Sequence, residues 1–208
     1  MRYKRLFSEN LIEKIAVLLM FTFSSSWLQA QPKSGNAEFE APKVDLPFYV
    51  FQDVGVLPYI PSAHMGKYKS MFVKLDHTEN VHAGQTCIRL MYTGVGDWFG
   101  LGFVDPANDW GDKPGGYNIS GAKTFSFWAK ASISELKVSA GLGIIDDESK
   151  PYRDSALKIE EIILTEKWKK YTFDISDLDL SCIRSGFVIY GTGQGKPLTI
   201  YIDDIVFE

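Results

Sequence analysis

At 208 residues, with 45 % hydrophobic and 14 % aromatic residues, the chain holds enough apolar material for a packed core and has roughly one domain's length. Its formal net charge of −4 argues against a nucleic-acid groove, which needs a basic stripe. Two cysteines and three isolated histidines offer no zinc-type ligand spacing.

In chain order, Arg2, Lys4 and Arg5 precede an apolar run from Ile15 to Phe21, and the small residue Ala30 closes the segment. This pattern predicts a secretory signal peptide over residues 1–30 and a secreted, periplasmic or extracellular, mature chain. The apolar run is shorter than the ~20 residues a transmembrane helix takes, so no membrane span is expected after processing. Residues 31–46 are polar and contain Pro, which reads as a linker, and the domain is expected over 47–208.

From Pro47 onward the apolar pattern has period two. Met71, Val73 and Leu75 share one face, as do Ile88, Leu90 and Tyr92, then Phe99, Leu101 and Phe103, then Phe125 and Phe127. Further strands are predicted around 136–145, 160–164, 168–175, 185–190 and 198–207. About nine or ten short strands with Gly, Pro and Asp turns, and no amphipathic helix, predict an all-β jelly-roll β-sandwich of two antiparallel sheets. Cys87 and Cys182 fit either a disulfide or two buried thiols.

The stretch from Trp98 to Gly121 is the most unusual. Pro106, Gly111, Pro114, Gly115 and Gly116 make most of it irregular backbone, while Trp98, Trp110 and Tyr117 alternate with Asp105, Asn108 and Asp109. Flat rings beside short carboxylates and amides are one make-up of a carbohydrate site, with rings stacking on pyranose C–H faces and Asp and Asn taking hydroxyls. The competing reading is a self-capped turn with Trp110 as an apolar plug. A second candidate is a sheet face: Arg89 and Trp128 lie opposite their strands' core residues, and Arg153 stands in a polar loop that could cap them. Its competing reading is a solvated face with Trp128 covered by a neighbouring loop.

No nucleophile elbow or Cys–His arrangement is present, and adjacent carboxylates such as Asp203 and Asp204 point to opposite faces of a strand, so no enzyme is expected. A jelly-roll polysaccharide lyase or hydrolase is the catalytic alternative, and a protein partner anchored on the Trp-rich loop is the interaction alternative.

Taken together, Phe51-Gln52-Asp53, Gly66-Lys67-Tyr68, Phe127-Trp128-Ala129-Lys130, Trp168-Lys169-Lys170-Tyr171 and Tyr201-Ile202-Asp203-Asp204-Ile205 give the chain a family pattern. It resembles the carbohydrate-binding-module-like jelly rolls, also called galactose-binding-like sandwiches, across nearly all of residues 48–208. The resemblance implies a non-catalytic module that binds a polysaccharide or glycan. It also implies a structural Ca²⁺ between the first and last strands, for which Asp53, Asp203 and Asp204 are the matching carboxylates.

Overall fold

Alternation of large apolar with small or polar residues turns most of the chain into strands. The computed structural model describes residues 39–208, so the expected signal peptide (1–30) and the first part of the expected linker lie outside the described residues. Eleven strands follow in order: β1 (Phe48–Phe51), β2 (Ile60–Gly66), β3 (Met71–His77), β4 (Cys87–Tyr92), β5 (Trp98–Val104), β6 (Thr124–Ala131), β7 (Leu136–Leu142), β8 (Lys158–Leu164), β9 (Lys169–Asp174), β10 (Ser185–Thr192) and β11 (Leu198–Phe207). The only helical element among the described residues is a 3₁₀ turn over Tyr68–Ser70. None is long and apolar enough to cross a membrane.

The strands form two antiparallel sheets. One has six strands, in the order β3-β4-β11-β6-β9 with β1 also on β11, and the other has five, β2-β5-β10-β7-β8. Strand β11 changes partner along its length. It pairs with β4 through Ile202 and with β1 from Ile205 onward. Between the two lies a bulge where Asp204 takes a positive φ of 46°, and bulges of this kind end one pairing and redirect the strand.

The core lies between the inner faces. Phe125, Phe127, Phe173 and Phe207 of the six-stranded sheet meet Phe103 and Phe187 of the five-stranded one, with ring centroids 5.1 Å apart for Phe127 and Phe187 across the sheets and 4.8 Å for Phe125 and Phe207 within the six-stranded sheet. Each such ring contributes about 1.5–3 kcal/mol on burial, so these six alone carry much of the sandwich. Cys87 and Cys182 are free buried thiols, and burial pushes both up to about 11.

The domain begins earlier than the sequence pattern implies. Ala41 is buried, Val44 donates its N–H to the Asn118 carbonyl, and Lys43 bridges to Asn118. Residues 39–46, expected as linker, therefore lie along the domain; their polar composition conceals backbone pairing that apolar periodicity does not report.

Candidate functional site

The outer face of the five-stranded sheet is divided. At the Val104 end, Ala63, Val104 and Ile145 are buried in a small cluster with Ile144. The loops 105–117 and 146–156 run there, held by a buried ion pair. The Arg184 guanidinium is fully buried, donates from Nη2 to Asp109 Oδ1 at 2.7 Å and from Nη1 to the Tyr152 carbonyl at 2.8 Å, and lies over the Tyr152 ring. Asp109 Oδ1 also accepts the N–H groups of Gly111, Asp112 and Lys113. Burial pushes the Asp109 carboxyl up, but Arg184 and these amides outweigh it and hold the group below its ordinary value.

At the Trp98 end the same face is open and forms a groove of about 600 Å³ lined by Trp98, Lys137, Ser139, Glu161, Tyr190, Thr192 and Gln194, with backbone at Val138 and Gly191. Register explains why these meet. Met65, Gly100, Tyr190, Ser139 and Glu161 form one cross-strand row over β2, β5, β10, β7 and β8. Four strand spacings of about 4.8 Å make such a row ~19 Å long. Trp98, Thr192 and Lys137 lie toward the strand ends beside it, and Trp98 is 51 % exposed.

Two glycines shape this end. A Cβ on Gly100 would stand 2.9 Å from Met65 Cε and 3.1 Å from Tyr190 Cβ, so its absence lets those side chains approach over the β5 backbone. Gly66, at φ +63°, lies where a Cβ would strike the Trp98 carbonyl and ring, and Lys67 N–H bonds that carbonyl at 2.9 Å. The Trp98 ring is thereby set against the β2 turn. Across the groove, Lys137 Nζ lies 3.6 Å from Glu161 Oε1, so the polar wall is locally neutral. Rings on one side and hydroxyl, amide and carboxylate groups on the other can stack on and hydrogen-bond a polyhydroxylated ligand.

Of the residues selected from sequence, only Trp98 enters this groove. Asp105 and Asp109 are engaged by donors of their own surroundings. Asp105 accepts the Gly116 N–H at 2.8 Å, and Asp109 is 5 % exposed and bound to Arg184. Short carboxylates in a Gly-rich loop satisfy the loop's own donors, which is the self-capped alternative. Asn108 takes a positive φ of 55° and donates its backbone N–H to Ser62 Oγ, and Trp110 is 39 % exposed on the same loop. Tyr117 turns toward the interior, with its hydroxyl donating to the Pro58 carbonyl and its ring 5.2 Å from Tyr59.

Arg89, Trp128 and Arg153 are not part of the groove either. Arg153 is half-buried in the 146–156 loop. Arg89 and Trp128 belong to the six-stranded sheet, where β4 and β6 flank β11 without touching each other. The Trp128 ring is stacked beneath His82, centroids 3.9 Å apart at 18°, so a neighbouring loop covers it.

That loop, residues 78–86, uses the carboxylates matched to calcium. Asp53 Oδ1 accepts the N–H of Gln85 and of Thr86 and the Thr86 hydroxyl, and these bonds, the amides foremost, hold its carboxyl below the ordinary value. Asp203 Oδ2 accepts the N–H of His82 and Ala83, and Asp204 Oδ2 lies 3.3 Å from His82 Nδ1. Among the described residues no group of three or more His, Cys, Asp or Glu is arranged to hold a metal ion. Asp53 Oδ1 and Asp203 Oδ2, two of the carboxylate oxygens matched to calcium, are thus taken up by loop N–H donors.

No family model and no curated protein matches the sequence. Among solved structures the chain is similar to a family 30 carbohydrate-binding module, with a TM-score of 0.55 and 16 % identity over 79 % of this chain and 99 % of that one. It is also similar to the family 30 module of a cellulosomal cellulase of Clostridium thermocellum (TM-score 0.51, 14 % identity, 79 % of this chain and 98 % of that one). A third is a promiscuous module of the β-sandwich superfamily (TM-score 0.53, 15 % identity, 80 % of this chain and 63 % of that one). The two-sheet jelly roll described above is the fold of carbohydrate-binding modules.

Proposed function

We propose that this protein is a non-catalytic carbohydrate-binding module that takes a polysaccharide segment across the groove of the five-stranded sheet. The observation that carries this reading is the open groove in which Trp98 stands beside the cross-strand row of Tyr190, Ser139 and Glu161. Trp98 and Tyr190 offer C–H stacking surfaces, and Ser139, Thr192, Gln194 and Glu161 offer hydroxyl-pairing groups. The row is bounded by the edge strands β2 and β8, which suits a chain crossing the strands. Affinity is expected to be modest, because every sugar hydroxyl bonded here gives up a bond to water. Glu161 is the single carboxylate in the groove, whereas glycoside hydrolysis takes a pair. Export through the N-terminal segment would bring the module to polysaccharides outside the cytoplasm.

A glycan array with the protein beside Trp98→Ala, Tyr190→Ala and Trp110→Ala tests the reading. Binding lost in the first two and kept in the third supports the groove. Loss only in Trp110→Ala would move the site to the loop, and no binding to any glycan by the folded protein would refute the reading.

A further inference from the structure

The outer face of the six-stranded sheet carries a feature that the groove does not use. Lys74 of β3, Arg89 of β4, Tyr201 of β11 and Lys130 of β6 are successive cross-strand partners, so three cations and one phenol form a single row over four strands. Directly opposed side chains have Cβ atoms about 4.5–5.5 Å apart, which makes this a continuous stripe. In a chain of net charge −4 the concentration of positive charge is local.

The stripe's buried nitrogens are under-used. Arg89 Nε is buried with no hydrogen-bond partner, and so is Nε2 of His77, a residue 6 % exposed whose ring lies 5.5 Å from that of Tyr201. Among the described residues no ion pair reaches Arg89 or Lys130. Lys130 Nζ lies 5.1 Å from the Tyr201 ring centre and 5.7 Å from that of Trp168, and it donates to Asn80 Oδ1. Burial, then the Arg89 charge, holds His77 below its ordinary value, against an opposing pull from the Glu79 carboxylate. Of the neighbouring carboxylates, Asp76 lies 3.8 Å from Lys74 and offsets that one cation, which leaves Arg89 and Lys130 as the stripe's uncompensated charges, while Asp203 accepts loop amides. Buried donors without acceptors are costly to leave unmade, and a guanidinium is shaped to take two oxygens of one oxyanion.

We propose that this stripe is a second binding site, separate from the groove, for the carboxylate or sulfate group of an acidic saccharide. Arg89 and His77 receive the oxyanion, and Lys130, steadied between Tyr201 and Trp168, supplies the second positive charge. The site is independent of the groove because the two share no residue and lie on different sheets.

The test is calorimetric titration of the protein with four probes: an oligogalacturonide, a sulfated oligosaccharide, a neutral oligosaccharide of equal length, and sodium sulfate. At least one acidic oligosaccharide should bind more tightly than the neutral one. That preference should fall about tenfold or more in Arg89→Gln, the scale of one lost charge-assisted bond. Arg89→Lys should keep part of it, and Lys130→Gln should weaken it. Unfolding midpoints of the variants separate loss of the site from loss of fold, and Lys130→Gln, altering a partly exposed ammonium, guards against a misfolded Arg89 variant. Equal binding of acidic and neutral probes overturns the proposal, as does unchanged binding in folded Arg89→Gln and Lys130→Gln. Sodium sulfate binding as tightly as the sulfated oligosaccharide reduces the stripe to a plain anion site and overturns its saccharide part.

Discussion

Trp98 and Trp128 occupy equivalent positions, each on the outward side of its strand and each next to a core phenylalanine in sequence, Phe99 and Phe127, yet their surroundings are opposite. Trp98 stands in an open groove, while Trp128 lies under His82 with Trp168 at its edge, ring centroids of His82 and Trp168 5.7 Å apart. The difference arises from which loop is tied down over which sheet end. Asp53 and Asp203 draw the 78–86 loop onto Trp128 by accepting its amides. On the other sheet the Arg184–Asp109 pair holds its loops at the far end and leaves the Trp98 end free. Outward alternation makes an aromatic residue available, and loop anchoring decides whether it is used.

The comparison breaks most severely if an anchor is removed. Arg184→Ala leaves the buried Asp109 carboxylate without its cation, and loss of one partner of a buried pair costs about 3–5 kcal/mol, measurable by denaturant unfolding. The same pair gives a pH signature. The Asp109 carboxyl is held below its ordinary value in the folded protein, so its stabilisation is present above the unfolded carboxyl value of about 3.9 and is lost as pH falls through the folded value. The stability gap between the wild type and Asp109→Asn should therefore be widest near neutrality and narrow below about pH 4. A gap that stays constant with pH would show that the charge of Asp109 is not what holds the loop.

The two tryptophans should then separate by readout. Trp128→Ala removes a stacked ring and should lower stability by about 1–2 kcal/mol while leaving binding of a neutral glycan unchanged. Trp98→Ala should do the reverse: about tenfold or greater loss of glycan affinity, with a change in unfolding free energy within roughly 1 kcal/mol because the ring is half exposed. If both variants lost stability equally and neither lost binding, the contrast between the open and covered faces would fail.

The sandwich is legible in the sequence because period-two alternation of Phe99, Leu101 and Phe103, or Phe125 and Phe127, is a local property of a strand. The groove is not, because it is made by register between strands distant in sequence. Tyr190 and Ser139 become neighbours through the β10–β7 pairing, and Glu161 joins them through β8. A local signal did exist: Gly100 and Gly102 alternate with large core residues on β5, and Tyr190 and Thr192 alternate with Ile189 and Gly191 on β10. Glycines opposite core positions mark a face that something approaches closely. The Asp-rich loop misleads for the complementary reason. A carboxylate that caps its own turn and one that awaits a ligand have the same sequence context, and only the position of Arg184, 75 residues away, distinguishes them.

The smallest expected effect uses the same interaction as the largest, at the opposite extreme of burial. Lys137 and Glu161 form an ion pair 3.6 Å apart with both side chains about two-thirds exposed, whereas Arg184 and Asp109 are sealed from water. An exposed pair contributes roughly 0–1 kcal/mol, since water solvates each partner once the other is gone. Glu161→Gln should therefore leave the unfolding midpoint almost unchanged. In the groove its amide can still bond sugar hydroxyls, so affinity for a neutral glycan should shift by only about two- to threefold, within the modest net worth of one hydrogen bond. Calorimetric titration beside a thermal melt gives both numbers on one sample. A loss of glycan binding as large as that of Trp98→Ala, with the fold intact, would mean that the carboxylate rather than the rings carries recognition, and the division of labour within the groove would be reversed.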